Sequence, residues 1–252
     1  MDRLKDKVAI VTGSTSGIGT GIAKMFGAEG ARVVVCGRNE ERGAAVVDAI
    51  AEAAGTAWFH KLDITRPETV DALFADTKEK WGSIDVLVNN AQASASGVTL
   101  ADHTTDQFDL AIYSGLYATF YYMQACYPYL KETKGSVINF ASGAGLFGNF
   151  GQCAYAAAKE GIRGMSRVAA TEWGPDGINV NVVCPLAWTA ALENFQEAYP
   201  DAFTANVHMP PMGHYGNVET EIGRVVVQLA SPDFKFMSGE TLTLEGGMGQ
   251  RP

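Results

Sequence analysis

Short apolar runs rich in β-branched residues alternate with longer segments of helical spacing along almost the whole chain. This alternation predicts βαβ units, in which a parallel sheet is covered by helices on both faces. The predicted strands are Val8–Val11, Arg32–Cys36, Ala57–Leu62, Ile84–Val88, Ser136–Phe140, Asn179–Cys184 and Thr241–Leu244. The predicted helices are Ile18–Ala28, Glu40–Ala54, Pro67–Trp81, Thr105–Leu130, Gln152–Glu172 and Glu219–Ala230. We therefore expect one doubly wound α/β domain over residues 1–252.

Composition and charge argue against several classes of protein. Of the 252 residues, 47% are hydrophobic and 19% are charged, which is too apolar for a disordered chain. The net charge of −9, without a Lys/Arg-rich run, argues against a nucleic-acid partner. The four cysteines lie far apart, which argues against disulfides and a metal site and favours a reducing compartment, the cytoplasm. The charged first residues also lack the apolar stretch of a secretory signal.

One segment without charges, Leu110–Leu130, has to be weighed as a membrane span. It contains Gly115, Gln124 and Pro128 together with several tyrosines, and these residues fit a lipid-buried helix poorly. We expect instead a buried helix of a soluble protein, at a subunit interface, and no membrane partner.

A glycine-rich turn follows the first predicted strand. Residues 12–19 read TGSTSGIG, and the glycines permit a tight turn that brings backbone N–H groups and a helix N-terminus close to a pyrophosphate. Because this turn opens the first βαβ unit, we expect dinucleotide binding here rather than an ordinary loop. The expected contacts are Gly13, Ser14, Ser16, Gly17, Ile18 and Gly19.

Tyr155 and Lys159 lie four residues apart in a predicted helix, so that a phenol and an ammonium share one face. A nearby ammonium lowers the pKa of a phenol, which would let Tyr155 exchange protons near neutral pH. Ser142 follows the fifth predicted strand, where its hydroxyl is placed to hold a carbonyl or alcohol oxygen. A surface Tyr–Lys pair is the alternative. The agreement with the glycine-rich turn and with Asn89-Asn90-Ala91 favours a catalytic site.

With these motifs the chain resembles the short-chain dehydrogenase/reductase family over essentially its whole length. TGSTSGIG matches the family's phosphate loop, Leu62-Asp63 its adenine contact, and Asn89-Asn90-Ala91 the motif after the fourth strand. The resemblance implies a Rossmann-type sheet of seven parallel strands, a nicotinamide cofactor and assembly as a homotetramer.

The same resemblance assigns roles to the catalytic residues. Tyr155 would be the general acid/base, Ser142 would orient the substrate oxygen, and Lys159 would hold the nicotinamide ribose and lower the pKa of Tyr155. Tyr155 and Lys159 would also contact the cofactor. Further expected cofactor contacts are Arg38, Asn39, Asp63, Ile64, Asn90, Pro185 and Thr189, and no metal is expected.

The chain departs from the family pattern at several positions. Asn-Asn-Ala-Gly ends here in Gln92, Pro-Gly after the sixth strand reads Pro185-Leu186, and Thr189 comes one position early. The asparagine expected in the long fourth helix aligns with Gly115. We expect the proton relay to survive, because a distorted helix leaves a main-chain carbonyl available for a water near the catalytic lysine. Gly115→Asn should then stay active. The alternative is that Gly115 only permits close packing.

Four segments carry a narrower resemblance, to bacterial 12α-hydroxysteroid dehydrogenases. These are 92–97 (QASASG), 112–120 (IYSGLYATF), 144–149 (AGLFGN) and 245–252 (EGGMGQRP). The resemblance implies reversible oxidation of the 12α-hydroxyl of bile acids to a 12-oxo group. Another secondary-alcohol dehydrogenase or ketoreductase of the family, acting at a different steroid position or on acyl or sugar substrates, stays open. A non-catalytic nucleotide sensor is the third reading, against which the complete Ser142, Tyr155 and Lys159 set argues.

Two further features bear on specificity. Residues 186–215 are too many for an ordinary connection, so we expect a substrate loop there, or a lid that packs on its own domain. Its apolar residues, which would wall a flat steroid, are Leu192, Phe195, Tyr199, Phe203, Met209, Met212 and Tyr215. Gly37 stands where an acid would select NAD, and Arg38 can pair with a 2′-phosphate. We therefore expect NADP, with NAD as the alternative.

Overall fold

Seven parallel strands form one sheet in the computed structural model, which describes residues 2–198 and 200–249. The strand order is β3-β2-β1-β4-β5-β6-β7. The bounds are β1 Val8–Val11, β2 Arg32–Gly37, β3 Thr56–Lys61, β4 Val86–Asn89, β5 Ser136–Phe140, β6 Asn179–Pro185 and β7 Thr241–Leu244. The order reverses between β1 and β4, so their carboxyl ends form the crevice where doubly wound folds bind ligands. The predicted Rossmann-type sheet of a single domain is confirmed.

The sheet is buried on both faces because its strands carry apolar side chains on both. In β1, Ala9 and Val11 belong to one core cluster and Ile10 belongs to the other. The alternation of side chains along a strand produces this division, and it leaves both faces to be covered by helices.

Ten α-helices in the described residues connect or follow these strands. They are α1 Gly17–Ala28, α2 Glu40–Glu52, α3 Val70–Trp81, α4 Thr105–Ala111, α5 Ala118–Thr133, α6 Gly143–Phe147, α7 Cys153–Trp173, α8 Ala190–Ala198, α9 Pro200–Asn206 and α10 Arg224–Ala230. The short α6 was not predicted from the sequence. The long segment after β6 was not divided into elements either, and it contains both α8 and α9.

The predicted helix Thr105–Leu130 is interrupted in its middle. A π-helical turn, Ile112–Tyr117, separates α4 from α5 and contains the buried Gly115. The expected local distortion at Gly115 is therefore confirmed. Such turns place one extra residue in the helical ladder and recur at functional sites.

The uncharged segment Leu110–Leu130 spans the end of α4, the π-helical turn and most of α5. Tyr122, Cys126 and Leu130 of α5 are buried in the core. Across residues 2–198 and 200–249, no helix is both long enough and apolar enough to cross a membrane.

Candidate active site

The phosphate loop connects β1 to α1 through two glycines with left-handed backbone angles, Gly13 (φ +65°) and Gly17 (φ +56°). A Cβ atom on Gly19 would lie 2.4 Å from the Gly13 carbonyl oxygen, so only glycine fits there. Helix α1 begins after Ser16 without a side-chain cap and without an acidic residue in its first turn. Neither its cap residue nor its first turn therefore places an anion against its N–H groups and its positive dipole end, which suits pyrophosphate binding. Ile18, in the first turn, packs against the core.

Ser14 of the phosphate loop makes its hydrogen bonds inside the protein. Its side chain is fully buried, and its hydroxyl donates to the Val11 carbonyl (2.7 Å) and accepts from the Cys36 N–H (2.9 Å). The backbone N–H of Ser14 donates to the Cys36 carbonyl. Its hydroxyl and its backbone N–H therefore join the loop to β1 and β2, and the cofactor contact expected of Ser14 stays a prediction.

Asn90 and Thr12 fix the loop to the end of β4. The Asn90 side-chain amide donates to the carbonyls of Thr12 (3.0 Å) and Gly13 (3.4 Å). The Thr12 hydroxyl accepts from the backbone N–H groups of Asn90 (3.0 Å) and Ala91 (3.2 Å) and donates to the Val88 carbonyl (3.3 Å). Thr12, which the sequence analysis did not single out, therefore ties together two strands whose ends line the crevice.

The expected adenine end is assembled after β2 and β3. Two hydrogen bonds from Thr65 lower the pKa of Asp63, and the positive charge of Arg38 lowers it further, so the two predicted residues lie near each other. The Asn39 side chain accepts from the Arg42 N–H (2.8 Å) and caps α2. Ile64 packs against the core.

Gly37 leaves no room for a side chain at the position that would carry an NAD-selecting acid. A Cβ atom there would lie 2.5 Å from Cγ2 and 2.7 Å from Oγ1 of Thr15, which belongs to the phosphate loop. The loop and the end of β2 are therefore packed so closely that an acid at this position requires a change at Thr15.

Ser142, Tyr155 and Lys159 come together at the carboxyl end of β5. Ser142 caps α6 by accepting from the Ala144 N–H (3.1 Å), and its hydroxyl hydrogen-bonds the phenol of Tyr155. Lys159, one turn further along α7, lies with Nζ 5.4 Å from the centroid of the Tyr155 ring and donates to the Phe140 carbonyl (2.7 Å). The predicted residues thus form one cluster, the catalytic triplet.

The electrostatics of the catalytic triplet differ from the expectation that Lys159 lowers the pKa of Tyr155. Burial raises the pKa of Tyr155, against which the hydrogen bond from Ser142 acts. Burial also lowers the pKa of Lys159 to about 7. Desolvation disfavours the charged form of each group, so burial opposes the effect that the sequence analysis expects of Lys159 on Tyr155.

Cys184 is a buried neighbour that the sequence analysis did not assign to the site. It lies near the end of β6, and its anionic form would raise the pKa values of both Tyr155 and Lys159. A cysteine before Pro185 carries no spacing signal, so only the tertiary structure identifies it as part of this environment.

The expected nicotinamide end is formed where the chain leaves β6. Pro185 is the last residue of that strand, and Thr189 begins α8, where its carbonyl accepts from the N–H groups of Leu192 and Glu193. A Cβ atom on Gly17 would lie 3.8 Å from Cγ2 of Thr189. Thr189 therefore lies beside the phosphate loop, and its contact with the nicotinamide stays a prediction.

The predicted substrate loop packs partly on itself. Trp188 meets Phe203 and Tyr215 edge to face, at centroid distances of 6.3 and 5.7 Å. Met209 and Met212 are 62% and 67% exposed and are available to a ligand. Leu192 is half-buried. Tyr199 and the side chain of Phe195 lie outside the described residues.

A cavity of about 940 Å³ opens beyond β7. Its lining includes Leu186 and Met212 of the long loop, and also His214, Glu221 and Glu245. Since none of the described lining residues belongs to the catalytic triplet, we assign no reaction to this cavity.

Comparison with known proteins places these features in a family. A family profile described as enoyl-(acyl carrier protein) reductase matches residues 13–249. The chain is 61% identical to a 12α-hydroxysteroid dehydrogenase of Clostridium sp. (strain ATCC 29733 / VPI C48-50), with 98% of each chain covered. It is 33% identical to 3β-hydroxysteroid dehydrogenase 1 of Eggerthella lenta, with 100% of this chain and 97% of that protein covered.

Solved structures show the same architecture. A short-chain dehydrogenase/reductase of Burkholderia xenovorans, described as putative, superimposes with a TM-score of 0.93 at 28% identity, over 100% of both chains. A 7α-hydroxysteroid dehydrogenase in complex with NADH and 7-oxo glycochenodeoxycholic acid gives a TM-score of 0.90 at 30% identity, over 97% of this chain and 95% of that one. From the sheet order, the phosphate loop and these matches, the chain belongs to the short-chain dehydrogenase/reductase family of oxidoreductases.

Proposed function

We propose that this enzyme reversibly oxidises the 12α-hydroxyl of bile acids to a 12-oxo group, with hydride transfer to NADP. One observation carries the proposal: the catalytic triplet is assembled in a chain that is 61% identical, over 98% of both proteins, to a 12α-hydroxysteroid dehydrogenase. The 7α- and 3β-hydroxysteroid dehydrogenases among its relatives support a steroid substrate in general.

The catalytic triplet would divide the proton chemistry. In the oxidation, Tyr155 would take the proton from the oxygen of the substrate hydroxyl. A nicotinamide cofactor, when bound, would supply the acceptor for the hydride of the carbon that bears this hydroxyl. The Ser142 hydroxyl, which hydrogen-bonds the phenol, is placed to hold the substrate oxygen as well. Lys159, when protonated, opposes the effect of burial on the phenol and favours its ionised form. In the reverse direction Tyr155 returns the proton to the carbonyl oxygen.

The residues present fit a dinucleotide. The start of α1 has neither an acidic residue nor a side-chain cap, so its N–H groups are open to a pyrophosphate. We assign the phosphates to Gly13, Ser16, Gly17, Ile18 and Gly19. The adenosine half would lie along Arg38, Asn39, Asp63 and Ile64, and the nicotinamide half along Asn90, Tyr155, Lys159, Pro185 and Thr189.

The preference for NADP is supported by charge and space after β2. Arg38 offers a guanidinium, which pairs well with phosphate oxygens. Gly37 has no room for the carboxylate that would hold a ribose hydroxyl, because Thr15 fills the space.

The segment 186–215 is proposed as the substrate loop. Met209 and Met212 are exposed and adaptable in shape, which suits a rigid ring system. The net charge of −9 gives no overall attraction for a bile-acid carboxylate. Affinity would therefore rest mainly on burial of the apolar rings.

A homotetramer in the cytoplasm is the proposed state. Tyr113, Tyr117 and Phe120 are between 41% and 54% exposed, and the Tyr113 and Tyr117 rings stack at 5.2 Å, which supports a subunit contact at this surface. No disulfide joins the cysteines in the part of the chain that the structure describes, as suits a reducing compartment.

The test compares bile acids that differ at C12. Cholate and deoxycholate carry the 12α-hydroxyl and chenodeoxycholate does not. We expect the first two to reduce NADP and to yield 12-oxo products by mass spectrometry and NMR, and chenodeoxycholate to be inert. Oxidation at C3 or C7 with C12 untouched would overturn the substrate, and a higher kcat/KM with NAD would overturn the cofactor.

A further inference from the structure

Two of the departures from the family pattern lie against each other. A Cβ atom on Gly115 would lie 2.6 Å from Cδ, 2.7 Å from Nε2 and 2.8 Å from Oε1 of Gln92. The whole terminal amide of Gln92 therefore covers the Cα atom of Gly115. The space that a side chain at 115 would enter is already occupied by a side chain that comes from the end of β4.

The Gln92 amide is only partly satisfied. Nε2 donates to the Ala111 carbonyl at 3.4 Å, a long hydrogen bond, and Oε1 is buried without a hydrogen-bond partner among the described residues. A buried amide oxygen that stays unpaired destabilises the folded protein. If residue 92 only filled this space, an apolar side chain there would make the protein more stable. The amide oxygen therefore has a role besides packing.

The neighbouring residues connect this amide to the catalytic helix. The Ser114 hydroxyl accepts from the Ala93 N–H (3.0 Å) and lies 2.9 Å from its carbonyl, so the π-helical turn is held against the segment after β4. On the other side of the turn, the Leu116 side chain covers Gly161 of α7, where a Cβ atom would lie 2.8 Å from Cδ2 of Leu116. Gly161 is two residues after Lys159.

We propose that Gln92 is a positioning residue for proton transfer: its amide, which comes from the end of β4, sets the position of the π-helical turn beside the catalytic helix α7. Its amide packs over Gly115 and bonds the Ala111 carbonyl, and so holds the π-helical turn, whose Leu116 side chain covers Gly161 of α7. Gly115 was expected either to permit close packing or to support the proton relay. Both explanations then describe one arrangement, because the glycine makes room for the Gln92 amide.

The structure also changes the expectation for Gly115→Asn. The asparagine side chain would enter the space of the Gln92 amide, so this variant alone must displace Gln92. The double variant Gln92→Gly/Gly115→Asn removes the conflict and places an amide at 115 instead.

The experiment compares the wild type with five variants. It measures kcat and KM for the cofactor with the hydroxysteroid that the wild type oxidises, and it measures thermal unfolding. Gln92→Met keeps the volume over Gly115 without the amide, and we expect kcat to fall at least about tenfold with little change in KM or unfolding temperature. We expect Gly115→Asn to lose kcat similarly and the double variant to recover to within about threefold of wild type, because contacting residues are energetically coupled. Gln124→Met on the exposed part of α5 and Gly174→Asn, which has open space, are the matched controls.

Two results would overturn the inference. One is a Gln92→Met enzyme with kcat within twofold of wild type, which would reduce Gln92 to packing. The other is a double variant no more active than Gly115→Asn. The inference rests on the proposed function only because the assay needs a substrate. If the wild type oxidises another steroid position, the proposed substrate is refuted. The ratios of variant to wild-type activity can still be measured with that other substrate, so the inference about Gln92 is tested separately.

Discussion

Replacing Thr12 by valine removes one oxygen atom from the junction of β1, β4 and the phosphate loop while nearly keeping the side-chain volume. Thr12 is 3% exposed, and its hydroxyl accepts from the N–H groups of Asn90 and Ala91. Each N–H left without an acceptor costs about 1–3 kcal/mol, and less where water can reach it. Since both hydrogen bonds are half-buried, we expect Thr12→Val to lower the free energy of unfolding by about 2–4 kcal/mol.

The loss should appear both in stability and in cofactor binding. For a chain of this size it corresponds to a fall of about 4–16 °C in the unfolding temperature. We also expect the variant to bind reduced cofactor at least about fivefold more weakly, as measured by fluorescence titration. This factor corresponds to about 1 kcal/mol, the share of the loss that we attribute to a displaced phosphate loop.

The matched control removes the same atom from a surface position. Thr171 on α7 is exposed, and its hydroxyl donates only to the Arg167 carbonyl of its own helix. Thr171→Val should stay within about 0.5 kcal/mol of wild type. Both variants are compared by urea unfolding at one protein concentration, because assembly affects apparent stability. A Thr12→Val protein as stable as the control, with normal cofactor affinity, would refute the role given to Thr12.

Further predictions concern the site. Tyr155→Phe should lose turnover by about 10²–10⁴-fold while reduced cofactor still binds, and near-normal turnover would remove Tyr155 from the mechanism. Arg38→Ala should lower kcat/KM for NADP at least about tenfold with little effect for NAD, and equal losses would show that Arg38 does not read the 2′-phosphate. Because burial lowers the pKa of Lys159 to about 7, the unfolded chain binds more protons between about pH 7 and 10, so stability rises with pH there. In urea unfolding, the free energy of unfolding of Lys159→Met should rise less between these pH values than that of the wild type. An equal rise in the two proteins would contradict the lowered pKa of Lys159.

The sheet and the catalytic triplet were predictable because their signals are local. Each strand is a short apolar run between helical segments, and the carboxyl ends of parallel strands meet at one edge. Tyr155 and Lys159 share a helix face by their spacing, and Ser142 follows directly after a strand. The family motifs then placed the cofactor at the same edge.

What escaped prediction depends on contacts between distant segments. Ser14 reads as a loop residue facing the phosphates, but its hydroxyl turns inward to β1 and β2. The pKa directions of Tyr155 and Lys159 follow from burial, which no spacing reveals. Gln92 and Gly115 appeared as separate departures, and only the tertiary structure shows that one fills the space left by the other.

The most direct test follows the hydride. Cholate that carries deuterium at C12, on the carbon of the 12α-hydroxyl, is incubated with the enzyme and NADP, and the reduced cofactor is analysed by mass spectrometry. The proposed reaction predicts one deuterium on the nicotinamide ring for each 12-oxo product formed, and Tyr155→Phe should form both at least about 10²-fold more slowly. Reduced cofactor without deuterium, with the label retained in the steroid, would contradict oxidation at C12.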